Sequence, residues 1–278
     1  SATKGKVDPD ILTDYHRSDL PVKVEEIDQL LQAGDREGAY RKLLIAQCNE
    51  LSEILPFLFE KIDDYTALLL PDKLLHTDSV INVMNRELSE EDFTHVEVIG
   101  WLYQYYNTEK KEKIGGLKNT SVKKEDLPVV TQLFTPKWIV QYMVQNSLGK
   151  LYDELVPANP LSKDWEYYLK SDETKDPVPE NLTLEKIKIC DPACGSGHIL
   201  VYAFDLLYEM YKEAGYPEND IPRMIIENNL YGADIDKRSY QLANLALMMK
   251  AQEKNKRFLR REKNLKTHVI EIVDSESI

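Results

Sequence analysis

Residues 188–200 read KICDPACGSGHIL, and this stretch decides the fold of the chain. A short apolar run ends at Asp191, and a Gly-x-Gly turn at Gly195 and Gly197 follows a stiff Pro-Ala step. Apolar residues at helical spacing begin directly afterwards and continue to Tyr211. This order of strand, tight glycine turn and helix is typical of an α/β nucleotide-binding unit, in which the first N–H groups of the helix face the ligand.

Two kinds of ligand are candidates for this turn. A dinucleotide site has the pattern G-x-G-x-x-G, and Leu200 stands where its third glycine belongs, so that fingerprint is absent. S-adenosylmethionine (SAM) carries a sulfonium and an α-ammonium group, and a carboxylate such as that of Asp191 suits a cationic ligand. The simplest alternative is an ordinary tight turn that needs glycine and binds nothing.

Composition narrows the class of protein. The chain has 278 residues, of which 42% are hydrophobic and 30% are charged, as in globular proteins with one large or two modest domains. No run approaches ~20 apolar residues, so we expect no membrane span. The N-terminus is polar, and we expect no signal segment there. Three cysteines are too few for a disulfide framework and indicate a cytoplasmic protein. No His or Cys partners occur at ligand spacing, which argues against a metal site.

The chain is strongly acidic, with a net charge of −13. Because DNA phosphates attract clustered lysines and arginines, we do not expect the main DNA-binding surface in this chain. Two stretches are nevertheless basic, residues 109–126 and Lys254–Lys266. The first is most simply a solvated linker, although its lysines are able to contact phosphates.

The N-terminal region is predicted to be helical. Residues 20–107 contain apolar residues at helical spacing and no clean alternating strand pattern. Within them, HVEVIGWLYQYYN at residues 95–107 predicts a core helix with aromatic packing. We assign residues 1–126 to a helical region with a linker and residues 127–278 to an α/β domain. The predicted fold class is therefore α plus α/β.

One helix of the α/β domain is predicted to precede the glycine turn. Residues 129–149 carry an apolar stripe at helical spacing. Thr135 is the expected N-cap, Pro136 the first helical residue, and Gly149 the end of the helix.

Two strands are predicted after the glycine turn. The strand Leu230–Asp234 ends in a carboxylate that is placed to accept two hydrogen bonds from a ribose diol. Asp236 is expected to cap the helix that follows. Residues 267–278 predict a third strand, whose Val269, Ile270, Ile272 and Val273 are expected to be buried.

Four segments resemble the motifs of the N6-adenine DNA methyltransferases. In chain order they are motif X (Gln132-x-Phe134-Thr135-Pro136), motif I (residues 191–200), motif II (Gly232-Ala233-Asp234-Ile235-Asp236) and motif III (Asp274-Ser275). Together with residues 98–107, they make the chain most similar to the large adenine-specific methylases of phage-exclusion (BREX) and phage-growth-limitation systems. It also resembles methylase subunits of restriction–modification enzymes. The resemblance implies a partial Rossmann-like, SAM-dependent methyltransferase domain.

The resemblance also implies a role for each motif in binding SAM. The acid and the glycine turn of motif I would hold the methionine portion, over which motif X closes. The acid of motif II would hold the ribose, and the acid of motif III the adenine. The residues implied as cofactor-binding are Phe134, Thr135, Pro136, Asp191, Pro192, Ala193, Gly195, Ser196, Gly197, Asp234, Ile235, Asp274 and Ser275.

One expected motif is absent. These enzymes carry an Asn/Asp-Pro-Pro-aromatic tetrapeptide that holds the flipped adenine, and the sequence contains none. We therefore expect an inactive N-terminal fragment with no catalytic residues of its own. The implied partners of the longer protein are double-stranded DNA, mainly through regions outside this chain, and subunits of a defence system.

Three alternatives remain open at this point. The same SAM domain occurs in methyltransferases that act on RNA or protein, and only the position of motif X before motif I favours adenine in DNA. A non-catalytic interaction module would use the helical region to dock partners. An NAD oxidoreductase is disfavoured by Leu200 and by the distance from the glycine turn to Asp234, which is longer than the ~20 residues expected.

Overall fold

The chain divides into two compact units, Ser1–His95 and Val96–Ile278. The division precedes the helix at Val98–Ile114, which contacts elements of the second unit. The structure is a computed structural model that describes residues 11–17, 20–89, 92, 98–114, 122–133, 135–157, 159–170, 179, 181–262 and 265–273.

The first unit consists of helices and loops within its described residues. Its helices are α1 (Ile11–Asp14), α2 (Val24–Gln32), α3 (Arg36–Ile54), α4 (Asp64–Ala67) and α5 (Val80–Glu87), with a 3-10 turn at Tyr15–Arg17. The side chains of Asp35, Asp63 and Ser79 accept hydrogen bonds from first-turn N–H groups and so begin α3, α4 and α5. Tyr40 and Leu43 of α3 are fully buried in the core of this unit.

The second unit is mostly helical and contains a small sheet. Its elements are α6 (Val98–Ile114), α7 (Leu127–Thr131), α8 (Lys137–Val144), α9 (Lys150–Leu155), β1 (Ile189–Asp191), α10 (His198–Glu213), α11 (Ile221–Asn228), β2 (Leu230–Asp234), α12 (Lys237–Lys254), α13 (Phe258–Arg261) and β3 (His268–Glu271). A π-helical turn at Gln145–Gly149 joins α8 to α9. Among the described residues, no helix has the length and apolar character that crossing a bilayer requires.

The described strands form a three-stranded parallel sheet in the order β1-β2-β3. Asp191 is in register with Gly232, and Asp234 with Glu271. Parallel strands end at the same edge of a sheet, so the acids that end β1 and β2 lie on one side. The predicted order of strand, glycine turn and helix is confirmed, as are the predicted bounds of the second strand.

A buried asparagine fixes the start of the sheet. Asn229 precedes β2, is fully buried, and donates through Nδ2 to the carbonyl oxygens of Leu184 (2.7 Å) and Ile187 (2.9 Å). Its Oδ1 accepts a hydrogen bond from the hydroxyl of Tyr211 in α10 at 3.1 Å. These bonds satisfy polar groups that burial would otherwise leave unpaired, and they hold the segment before β1 against α10.

The helix at residues 129–149 differs from its prediction. It begins at Lys137, with Pro136 as the N-cap and no side-chain capping bond, so Thr135 is neither the cap nor helical. Thr135 precedes a proline, which disfavours helical torsions at that position. Gly149 does not end the helix, since the chain continues through the π turn into α9. Its lack of a side chain serves packing instead, because a β-carbon there would lie 2.9 Å from Cζ3 of Trp165.

The third strand is shorter and more exposed than predicted. It spans His268–Glu271, and Val269 is buried, whereas Ile270, Ile272 and Val273 are 60%, 47% and 53% exposed. The prediction of a strand buried on both faces is therefore wrong. The reason is that β3 is an edge strand within the described residues, and only one of its faces is covered by α12.

Helix α6 also departs from the prediction of a core helix. Its Trp101, Tyr105 and Tyr106 are 50%, 82% and 78% exposed. The helix is held instead through polar side chains, since Asn107 is buried and Tyr103 is half-buried. Periodicity therefore located the helix, but most of its aromatic residues do not pack in a core.

Candidate cofactor site at the glycine turn

The turn between β1 and α10 depends on two glycines with left-handed torsions. Gly195 has φ 54° and Gly197 has φ 86°, a region that other residues avoid. A β-carbon at Gly197 would lie 3.0 Å from Cβ and 3.1 Å from Cα of Ala243, so this glycine lets α10 begin directly against α12. A β-carbon at Gly195 would meet nothing within 4 Å. The turn is thus closed on the Gly197 side and open for a ligand at Gly195.

Asp234 joins this turn to the loop after β2. Its Oδ2 accepts a hydrogen bond from the N–H of Gly195 at 2.8 Å, and its Oδ1 accepts one from the N–H of Asp236 at 2.8 Å. The N–H of Cys194 also donates to the carbonyl oxygen of Ala233 at 3.0 Å. The segments predicted as motifs I and II therefore form one rim at the carboxyl edge of the sheet. Each Asp234 oxygen keeps a further lone pair, because a carboxylate accepts about four hydrogen bonds.

The rim carries two carboxylates with no cationic partner among the described residues. Asp191 is half-buried, and its Oδ1 accepts a hydrogen bond from the N–H of Ala193 at 3.2 Å. Burial and the nearby negative charge of Asp234 raise the pKa of Asp191, although the bond from Ala193 opposes this. An unpaired negative charge at this position favours a cationic ligand.

Two more side chains of the turn are buried. The Oγ of Ser196 has no hydrogen-bond partner within the described part of the chain. The Cys194 thiol is buried, and burial together with Asp234 and Asp191 raises its pKa to about 12. Cys194 therefore stays protonated near neutral pH and is a poor nucleophile. No group of three or more metal-ligating side chains occurs among the described residues.

The remaining predicted site residues fall into two groups. Pro192, Ala193 and Ile235 are exposed beside the rim, and Thr135 and Pro136 lead into α8, which packs on α10. Phe134, Asp274 and Ser275 lie outside the described residues. The capping role predicted for Asp236 is confirmed, since its side chain accepts a hydrogen bond from the N–H of Arg238.

A chain of hydrogen-bonded polar side chains leads to Asp236, which follows the rim. The sequence analysis did not identify this chain. Asp236 Oδ2 accepts hydrogen bonds from the hydroxyls of Tyr103 (2.9 Å) and Ser239 (2.7 Å). Gln132 Nε2 donates to Ser239 Oγ at 3.4 Å, and Asn107 Nδ2 donates to Gln132 Oε1 at 3.0 Å. This chain connects α6 and the segment before α8 to the residue that follows the rim. Two members had a signal in the sequence, Gln132 as the first residue of the motif X segment and Asp236 as the last residue of the motif II segment.

The class of protein is indicated by a family model. Residues 170–278 match the model described as MmeI, DNA-methyltransferase domain. This range holds β1 to β3, the glycine turn and Asp234, so the match covers the elements that build the rim.

Particular relatives give a narrower comparison. The chain is 43% identical over 262 residues to adenine-specific methyltransferase BrxX of Escherichia coli strain HS, covering 91% of this chain and 21% of BrxX. It is 39% identical over 284 residues to adenine-specific methyltransferase PglX of Lacticaseibacillus casei strain Zhang, covering 92% of this chain and 23% of PglX. A third relative, from Methanocaldococcus jannaschii, is a putative type II restriction enzyme and methyltransferase, 29% identical over 199 residues, covering 61% of this chain and 16% of that protein.

These comparisons confirm the resemblance to adenine-specific methyltransferases that the four motifs predicted. The chain is homologous to part of BrxX and PglX over nearly all of its own length. It spans about a fifth of the length of these two relatives.

Proposed function

We propose that this chain forms the SAM-binding part of an adenine-specific DNA methyltransferase. The observation that carries the proposal is the Asp234 carboxylate, which bridges the N–H groups of Gly195 and Asp236. This bridge makes the loops after β1 and β2 into one site with two unpaired carboxylates. The names of BrxX and PglX and the MmeI-type match support the reaction class. They favour adenine in DNA over RNA, protein or a purely structural role.

The residues of the rim fit the groups that SAM carries. Asp191 would face the cationic methionine portion, and the open side of Gly195 would let the ligand approach the backbone. The free lone pairs of Asp234 would accept the ribose hydroxyls. When bound, SAM supplies the activated methyl group, so the work of this chain is to bind and orient it.

Further roles follow from the family resemblance alone. Phe134, Thr135 and Pro136 would close over the methionine portion, and Asp274 with Ser275 would contact the adenine of the cofactor. The sheet would then be the first part of a Rossmann-like domain. The polar chain from Asn107 to Asp236 would hold the closing segment in register with the rim.

The methyl-transfer step is assigned to sequence outside this chain. The Asn/Asp-Pro-Pro-aromatic tetrapeptide that holds a flipped adenine does not occur in these residues. We propose that the chain alone binds SAM without methylating DNA. In the whole protein, the partners would be double-stranded DNA and components of a phage-defence or restriction–modification system.

Calorimetric titration tests the cofactor assignment. We expect SAM and S-adenosylhomocysteine to bind the purified chain, since they share the ribose, adenine and α-ammonium groups. NAD should not bind, because its pyrophosphate would face the two carboxylates of the rim. Binding of NAD without binding of SAM would contradict the proposed function.

The pH dependence of SAM binding provides a second prediction. The pKa of Asp191 lies above its ordinary value of 3.8 in the free chain, and a bound cation should lower it again. SAM affinity should therefore fall as the pH drops from neutral through that raised pKa, and binding in this range should release a proton. Calorimetry in two buffers with different ionisation enthalpies measures this release.

The variant Asp191→Asn removes the negative charge and keeps the shape of the side chain, so it tests the charge alone. It should bind SAM more weakly at neutral pH and without proton release. The free variant should be slightly more stable, since an acid with a raised folded pKa loses stability as the pH rises through that pKa. Proton release that persists in Asp191→Asn would show that another group titrates.

A further inference from the structure

An exposed cluster of cations lies between α12 and β3. We call it the basic patch, and it consists of Lys256, Arg257, Arg260, Arg261 and Lys266. All five residues are exposed, and none forms an ion pair with another described residue. The nearest acids are already engaged, because Glu227 and Glu262 pair with Arg223 at 2.9 and 3.8 Å. The patch is therefore a concentration of uncompensated positive charge on a chain of net charge −13.

The backbone under the basic patch is rigidly held. Phe258 is 1% exposed and anchors the short helix α13 in the core. The N–H of Arg257 donates to Asn255 Oδ1 at 3.1 Å, and Asn255 Nδ2 donates to the carbonyl oxygen of Asn219 at 3.1 Å. Gln252 also holds this segment, since its Nε2 donates to the carbonyl oxygen of Lys256 at 2.6 Å. The cations are thus presented on a preformed surface, which lowers the entropy cost of binding an anion.

Two open hollows lie along the basic patch and are partly lined by its residues. One has a volume of about 710 Å³ and is lined by four cations and two carboxylates, together with Leu265 and His268. The cations are Arg223, Arg260, Arg261 and Lys266, and the carboxylates are Glu227 and Glu262. The other has a volume of about 290 Å³ and is lined by Lys256 and Arg257. Arg261 lines both, so the hollows adjoin. Such charged and open linings suit an extended anion with repeated charges better than one small apolar ligand.

The spacing of the arginines favours a phosphate backbone. Arg260 and Arg261 follow Arg257 by three and four residues across the single turn of α13, so their β-carbons lie about 5–6 Å from the β-carbon of Arg257. Guanidinium groups bind phosphate oxygens in pairs of hydrogen bonds. Double-stranded DNA carries about one charge per 1.7 Å of its axis, so a cluster of cations on one surface contacts several phosphates at once.

We propose that the basic patch contacts the phosphate backbone of double-stranded DNA, an inference that rests on the proposed function. The patch lies near the amino ends of the strands, where β3 begins at His268. The glycine turn lies at their carboxyl ends. The contact is therefore independent of SAM, and it is independent of base sequence because it reaches phosphates only.

Fluorescence anisotropy with a labelled mixed-sequence DNA duplex tests this surface. The combined variant Arg257→Ala, Arg260→Ala and Arg261→Ala should bind the duplex about tenfold more weakly at low salt. The slope of log affinity against log salt should fall by about one for each phosphate that the variant no longer neutralises. Replacing the same arginines with lysine should retain most of the binding, since the charge remains.

A matched control removes three cations elsewhere in the same unit. Lys150→Ala, Lys163→Ala and Lys212→Ala change the net charge equally, and Lys150 and Lys212 are already paired with Glu154 and Glu218. This control should change duplex affinity less than twofold. Equal losses in the two triple variants would overturn the proposal, as would patch-dependent binding of polyglutamate or single-stranded RNA without binding of the duplex.

The SAM titration separates the two proposals. The patch variant should bind SAM as the unmodified chain does. A chain that binds SAM but not the duplex would overturn the basic patch and leave the proposed function standing. A chain that binds the duplex through the patch but not SAM would overturn the proposed function instead.

Discussion

Replacing Asp234 with alanine is expected to lower SAM affinity by about 5- to 150-fold, which corresponds to about 1–3 kcal/mol. The loss has two sources. The ribose hydroxyls would lose their acceptor, and the N–H groups of Gly195 and Asp236 would lose the bonds of 2.8 Å that join the two loops. Calorimetry of SAM binding measures the change. Asp234→Asn should also bind weakly, because its amide nitrogen cannot accept a hydrogen bond from either N–H group.

A destabilised variant in the other unit serves as the control for a general effect of lower stability on SAM binding. Asp63→Ala removes the N-cap of α4 in the other unit, where the carboxylate accepts from the N–H of Thr66 at 2.8 Å. It should cost about 1 kcal/mol of stability and leave SAM affinity unchanged. If Asp234→Ala binds SAM as tightly as this control, Asp234 is not part of the cofactor site.

Gly197→Ala is expected to lower the free energy of unfolding by about 2–5 kcal/mol. Left-handed torsions cost a non-glycine residue about 1–2 kcal/mol, and Gly197 has φ 86°. A methyl group there would also press on the backbone of Ala243 at 3.1 Å, and overpacking adds about 1–3 kcal/mol. Urea unfolding followed by circular dichroism measures the difference.

The chain offers a matched glycine for this test. Gly215 has φ 85°, and a β-carbon there would meet nothing within 4 Å. Gly215→Ala should therefore show only the cost of torsional strain, about 1–2 kcal/mol. Equal losses at the two positions would mean that the contact of α10 with α12 at Gly197 contributes little.

The local elements of the site were predictable from the sequence because they depend on short-range chemistry. A glycine pair after an apolar run indicates a tight turn, and an acid directly before a helical pattern indicates a cap. The strand–turn–helix unit at residues 189–213, the strand Leu230–Asp234 and the Asp236 cap follow from such signals. Each needs only residues within a few positions of one another.

Contacts between distant segments were not predictable from one sequence. The bond from Gly195 to Asp234 spans 39 residues and the bond from Tyr103 to Asp236 spans 133. Nothing in the local pattern of α6 distinguishes Tyr103, which faces inward, from Tyr105 and Tyr106, which are exposed. Their neighbours in the sequence are similar, so tertiary packing alone decides which of the three tyrosines is buried.

The sequence pattern does not determine which residues of α12 are buried. Helix α12 contains LANLALMMKA at residues 242–251, so several stripes fit a period of 3.6 residues. Met248 is 1% exposed and Met249 is 39% exposed, a difference that periodicity does not resolve. In β3 the apolar run could not reveal that one face lacks a covering layer within the described residues.

Strand β1 and the loop that follows it each carry one thiol, and the two thiols differ in accessibility. Cys190 is exposed, whereas Cys194, four residues later, is buried with its pKa raised to about 12. Thiolates attack alkylating reagents, so the exposed Cys190 reacts directly and Cys194 reacts only when its loop transiently opens. Once Cys190 and the partly exposed Cys48 have reacted, the rate at which a maleimide modifies Cys194 thus measures how often this loop opens.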